Sequence, residues 1–186
     1  MDIAAVDGRA GMMLFQNRRN QPFEVRSVVA DVESVTTVRT ADFDNDGDLD
    51  FALAGESGLR LLASVGNEII AEAPVLSRGS STQLLVRDFD GDGRTDLLAD
   101  GELFTNNTDG GRWVVISLHG LNSNPHGIGA KVEVKTTDRQ VKRELRGGSR
   151  DGRLLTVGVS AADSVEFVRV LWPSGVRQTE LACAAN

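Results

Sequence analysis

Apolar positions in the first 110 residues come in short runs. FALA (51–54), LRLLA (59–63), LLA (97–99), ELF (102–104), AAV (4–6) and MMLF (12–15) are separated by Gly breaks every six to ten residues. None is long enough for a helix, so the pattern predicts strands joined by tight turns, about four per repeat. From Trp113 the runs lengthen and alternate: WVVISLHG, AKVEVKTT, QVKRELRGG, LLTVGV and VEFVRVLWPSG. In KVEVK, Val132 and Val134 share one face while Lys131, Glu133 and Lys135 share the other. VEFVRVLW carries large apolar residues in both phases, which predicts a strand buried on both sides. The fold class expected is all-β.

The polar positions between these runs repeat. DFDNDGDLD (42–50) and DFDGDGRTD (88–96) share the pattern Asp-Phe-Asp-x-Asp-Gly-x-x-Asp, 46 residues apart. TTVRTADF and TQLLVRDF lead into these loops as strands, and a second strand leaves from Asp50 or Asp96. Residues 2–17 echo the stretch downstream of each loop, with Asp2 lying 48 residues before Asp50. A period of 46 to 48 is that of propeller blades. Residues 1–110 therefore read as a partial β-propeller, two blades plus a remnant. Residues 111–186 read as a small antiparallel β-sandwich or barrel-like domain. Two blades cannot close a ring and the first motif is cut at its last Asp, so further repeats are expected upstream of Met1.

Charge supports a join near residue 110. Residues 1–110 hold 20 Asp/Glu against 9 Arg, a net of −11; residues 111–186 hold 7 acidic against 11 basic residues, a net of +4. The acidic half argues against a nucleic-acid partner. No apolar run approaches the ~18 residues of a membrane span. Cys183 is the only cysteine, can form no internal disulfide, and reads as a bystander thiol.

Alternate carboxylates with Gly at the sixth position can converge hard oxygens on one point, the ligand set of Ca2+. The first-loop assignment is Asp42, Asp44, Asp46 and Asp50 through side chains, and Asp48 through its carbonyl, its side chain facing solvent. The second loop matches it with Asp88, Asp90, Asp92 and Asp96, and with the Arg94 carbonyl. Gly47 and Gly93 allow the positive φ such a turn needs. An EF-hand would require Glu at the twelfth position, where Leu53 and Ala99 stand. The competing reading is a metal-free Asx-turn loop capping a hairpin; two loops of identical spacing favour the metal. With no His or Cys ligand, the ion's role is structural.

These loops resemble the FG-GAP/VCBS repeats of integrin α-type β-propellers, over roughly residues 2–106. That resemblance implies Ca2+ held between the first two strands of a blade. WVVISLHGLNSNPHGIGAKVEVKT, RELRGGS and VRVLWPSGVRQ are similar to the ASPIC/UnbV domain, over about 111–181. That domain follows FG-GAP repeats in secreted proteins similar to cartilage acidic protein and in bacterial relatives. RDGRLLTVGVSAAD is shorter than the family's corresponding stretch. The resemblance implies an extracellular or periplasmic, non-enzymatic interaction or adhesion-type module with a protein or glycan partner at the cell surface. An edge-strand dimer of the chain is a further expectation.

The alternative is an accessory or biosynthetic-cluster protein acting on a small molecule or glycan, but no nucleophile–base pair supports it. A strand ending in His-Gly evokes an α/β-hydrolase oxyanion loop, yet GGSRDG has Asp151 where the nucleophile elbow needs Gly. His119 and His126 read as turn residues, the basic stretch 135–150 as a solvated face. NNT at 106–108 is an Asn-x-Thr sequon, given no weight.

Overall fold

In the computed structural model every regular element among the described residues is a β-strand. The described residues are 2–6, 11–28, 34–66, 68–70, 75–77, 79–121, 124–146 and 154–186. The chain divides into two compact units: residues 1–43 with 49–107, and residues 44–48 with 108–186.

The N-terminal unit holds three antiparallel sheets. The first is β1 (Ile3–Val6), β2 (Met12–Gln16) and β3 (Glu24–Val28), in that order. The second runs β4 (Thr37–Ala41), β5 (Asp50–Gly55), β6 (Gly58–Val65), β7 (Glu68–Ile70), with β8 (Val75–Ser77) also pairing β6. The third contains β9 (Leu84–Arg87), β10 (Asp96–Ala99) and β11 (Glu102–Phe104), with β10 central. The strands expected to enter each loop are β4 and β9, and those expected to leave are β5 and β10. The middle sheet exceeds the expected four strands; the outer two show three among the described residues.

Turn chemistry sets the registers. Gly55 pairs Gly58 across Glu56–Ser57, and Ala99 pairs Glu102 across Asp100–Gly101. Asp100 and Gly101 both have positive φ, 45° and 93°. That is what a two-residue hairpin turn matching the strand twist demands. The Asp100 carboxylate also accepts the N–H groups of Thr82 and Gln83, at 3.0 and 3.1 Å.

Strand β5 is buried along its whole length, because both of its faces are covered. Phe51 and Leu53 pack with Met12, Leu14, Val35 and Leu62. Ala52 and Ala54 pack with Phe43, Leu59, Leu84, Leu97 and Ala99. Entering strands one repeat apart meet directly: Thr37 Oγ1 donates to Thr82 O (2.7 Å) and Arg39 Nε to Leu84 O (3.1 Å). Leu53 is fully buried in this stack. Leu53→Ala is expected to cost about 2–5 kcal/mol in denaturant unfolding, since neighbours packed on both sides cannot close the cavity.

The C-terminal unit is a two-sheet sandwich. Strand β12 (Arg112–Ser117) pairs β15 (Leu154–Ser160). The second sheet contains β13 (Lys131–Lys135), β14 (Gln140–Glu144), β16 (Ser164–Leu171) and β17 (Arg177–Ala184), in the order β14-β13-β16-β17. Val114, Val157 and Val159 from one sheet cluster with Val132, Val134, Val141, Val165, Val168 and Val170 from the other. The KVEVK alternation holds. Strand β16 buries residues of both apolar phases, Val165 in one and Val168 and Val170 in the other, and exposes Glu166 and Arg169, one from each. Its Phe167 is covered by the Arg169 guanidinium, 4.6 Å from the ring centroid, which also bonds Glu133 at 3.0 Å. A sheet wet on one side can shelter an aromatic this way.

Candidate metal centres

The two acidic loops join β4 to β5 and β9 to β10, and their backbones are built by their own carboxylates. Asp44 Oδ1 accepts the Asp46 N–H (3.1 Å) and Asp46 Oδ1 the Asp48 N–H (2.7 Å). In the second loop Asp90 accepts the Asp92 N–H and Asp92 the Arg94 N–H, at 3.1 and 2.8 Å. These are successive Asx turns. Gly47 and Gly93 have φ of 93° and 86°, and the fourth positions, Asn45 and Gly91, are also left-handed at 55° and 83°.

Each loop gathers a triad. Carboxylate oxygens of Asp42, Asp44 and Asp50 lie within 4.8 Å of one another, as do those of Asp88, Asp90 and Asp96. Among the described residues these are the groups able to hold a metal ion. Two like charges 4 Å apart at an effective dielectric near 20 repel by about 4 kcal/mol, so three invite a cation. All donors are hard oxygens, which suits Ca2+. Burial, and secondarily the Asp46 charge, push the Asp44 carboxyl above the usual aspartate value. A raised pKa means the folded state favours the protonated form. In chelator the resulting penalty is present above the folded pKa and relieved as pH falls through it. Asp44→Asn keeps an acceptor for the Asp46 N–H, so in chelator at neutral pH it is expected to melt no lower than wild type.

Asp46 and Asp92, assigned by sequence as ligands, stand outside the triads and meet guanidinium groups. Arg94 Nη1 lies 2.7 Å from Asp92 Oδ2. The Arg94 N–H and its guanidinium hold Asp92 below the usual carboxylate range. In the first loop Arg139 Nη1 lies 3.6 Å from both Asp46 Oδ2 and Asp48 Oδ2. The Asp48 side chain thus faces Arg139, where solvent was expected. The seventh position can be Asp or Arg because a guanidinium reaches the fifth-position Asp either way, from Arg94 within the loop or from Arg139 outside it.

The ninth-position carboxylates are the most buried of the set, Asp50 at 3% and Asp96 at 1% exposure. Each accepts two backbone N–H groups: Asp50 from Phe43 (2.9 Å) and Ser64 (2.8 Å), Asp96 from Phe89 and Asn106 (both 2.8 Å). They tie the loop's start to the neighbouring strand besides facing the triad. Asp2 accepts the Asn17 N–H at 2.7 Å in the same way, which explains the N-terminal echo of the motif. Asn106, the sequon residue, was given no role by sequence reasoning. Its Nδ2 donates to Phe43 O at 2.6 Å and to Thr95 O at 3.1 Å, so the nitrogen a glycan would need is engaged.

Residues 44–48 are built into the C-terminal unit, and four consecutive carbonyls anchor them. Asp44 O accepts from Gly111 N (2.6 Å), Asn45 O from Ser160 N (2.9 Å), Asp46 O from Arg139 Nη1, and Gly47 O from Arg143 Nη2 (3.0 Å). No room is left at the contact. A methyl on Gly111 would collide with Asn45 O and sit 2.7 Å from the Ser160 Cα. Arg139 and Arg143 lie in the basic stretch read as a solvated face; their 93- and 96-residue separation from the loop hid this from the sequence.

The remaining candidates stay apart. His119 Nε2 meets Ser117 Oγ at 3.0 Å, and both histidines are exposed. Cys183 is a free, half-buried thiol packed against the sandwich core. The GGSRDG stretch, 147–152, lies outside the described residues.

FG-GAP repeats suggest an extracellular or periplasmic setting, and no described helix is long and apolar enough to cross a membrane. No curated protein matches the chain. The family model described as FG-GAP-like repeat matches residues 42–99 and that described as ASPIC and UnbV matches residues 120–186, so the chain carries an FG-GAP-like repeat region followed by an ASPIC/UnbV domain, in the order its motifs led us to expect.

Proposed function

We propose that the protein is a calcium-binding, non-enzymatic interaction module of the cell exterior or periplasm, in which Ca2+ staples the loops of consecutive β-propeller blades. The carrying observation is the pair of carboxylate triads in loops of identical pattern. Asp42, Asp44 and Asp50 would hold one ion, and Asp88, Asp90 and Asp96 the other. The seventh-position carbonyls of Asp48 and Arg94 would add the backbone ligands. Calcium supplies positive charge, which removes the mutual repulsion of each triad and fixes the strand-to-strand turn. The partner on this reading is a protein or glycan.

Isothermal titration with Ca2+ tests it. Two ions per chain are expected, with Kd of about 10⁻⁴–10⁻³ M as in extracellular modules. Asp44→Asn and Asp90→Asn should each remove one. Both substitutions keep the local N–H acceptor, so the loss reports the metal. No heat above dilution in wild type at millimolar calcium would refute the reading.

A further inference from the structure

We propose that two copies of this chain associate head to tail through their N-terminal units, so that two sets of three sheets close one six-bladed ring. This rests on the blade reading of the repeats proposed above, and not on its calcium.

The three sheets of the N-terminal unit stack by one rule. From the middle sheet, Phe51, Leu53 and Leu62 pack toward the first sheet, while Ala52, Ala54 and Leu59 pack toward the third. Strand pairing carries the rule to the outer sheets. Ile3 pairs Phe15 as Phe51 pairs Leu62, and Leu98 pairs Leu103 as Ala52 pairs Leu61. Ala4 and Val6 hold the places of Ala52 and Ala54 and pack on the middle sheet. Leu97 and Ala99 hold the places of Phe51 and Leu53 and pack on its other side. Each contact therefore joins the alanine side of one sheet to the phenylalanine side of the next.

The rule leaves two faces open. Ile3, Ala5 and Phe15 in the first sheet stand where Phe51, Leu53 and Leu62 stand, with no sheet over them among the described residues. Leu85, Leu98 and Leu103 form a row across the third sheet, equally uncovered among the described residues. Ile3 is 45% exposed where Phe51 is 7%, and Leu85 and Leu103 are 55% and 47% exposed. Apolar faces left in water mark an interaction surface. These two are the unmatched halves of the contact the stack already makes twice, so a second copy supplies the missing half at each end. Such a head-to-tail contact stays finite only if it closes. Two copies of three sheets give six, within the range of about four to eight blades at which such rings close. Once the first contact has formed the second is intramolecular, which favours the closed pair over longer stacks. The contact lies between sheet faces and uses no strand edge.

Light scattering on the full chain, separated by size exclusion over a dilution series, tests this. The wild type should show twice the 19.9 kDa of one chain. Leu103→Glu on one open face and Ile3→Glu on the other should each halve that mass. Both side chains are exposed in the single chain, so far-UV circular dichroism should not change; Leu85→Glu and Val25→Glu repeat the test on the same two faces. An equimolar mixture of Leu103→Glu and Ile3→Glu should recover a dimer, because that pair keeps one unaltered contact while each variant alone has both damaged. A dimer lost in only one of the two variants means that like faces meet, and overturns the head-to-tail arrangement, as does a mixture that stays monomeric. A dimer that survives both variants overturns the assigned faces, and a mass that climbs beyond two chains overturns closure. A monomer at every dilution, the result expected where further repeats of a longer chain cover these faces, overturns the proposal. It leaves the calcium reading standing, since the titration above counts ions per chain.

Discussion

Adding a calcium chelator should lower the thermal unfolding midpoint by about 5–10 °C for each loop emptied. An ion at about 100 times its Kd stabilises the folded chain by about 2.7 kcal/mol. In a chain of this size each kcal/mol moves the midpoint by about 2–4 °C. The effect should be large because each triad places three carboxylate oxygens within 4.8 Å, and removing calcium restores their repulsion. Trp113 and Trp172, the only tryptophans, both lie in the C-terminal unit. Their fluorescence follows that unit alone, while far-UV circular dichroism follows all the strands. Asp44→Asn and Asp90→Asn should each remove part of the calcium response seen by circular dichroism. A midpoint indifferent to chelator in wild type would remove the staple from the account.

The second large effect needs no metal. Asp50→Ala and Asp96→Ala should each lower stability by about 2–6 kcal/mol in chelator, because each leaves two backbone N–H groups without an acceptor at about 1–3 kcal/mol apiece. For Asp50 these are the Phe43 and Ser64 N–H groups, for Asp96 those of Phe89 and Asn106. Asp92→Ala is the control. Its partner Arg94 sits in a partly exposed pair, and such pairs contribute within about 1 kcal/mol. Urea unfolding of the three variants in chelator measures this. Equal, small losses in all three would mean that the ninth-position carboxylates matter only as ligands.

What could be read from residues alone was what depends on neighbours in the chain. Run length and Gly spacing located most of the strands but not β3, β7 or β8, and the 46-residue period matched the Asp42–Asp50 and Asp88–Asp96 loops. Val132 and Val134 showed their buried face, because strand periodicity is local. Strand β17 lacked that signal, since RQTELACA is an edge strand with little buried on either face. In β16 both apolar phases reach the core, while Phe167 is covered by Arg169, a residue that looks like solvent in the sequence.

The tertiary structure decided which of ten similar loop positions do which work. It sorted the carboxylates into triads, put Asp50 and Asp96 in the double role of backbone acceptors, and turned Asp46, Asp48 and Asp92 toward guanidinium groups. It also gave Asn106 its bracket and made residues 44–48 part of the C-terminal unit. Those outcomes hang on hydrogen bonds between residues as far apart in the chain as Asn45 and Ser160. A carboxylate's neighbours in sequence show that it can accept a donor, and only the folded chain brings one to it.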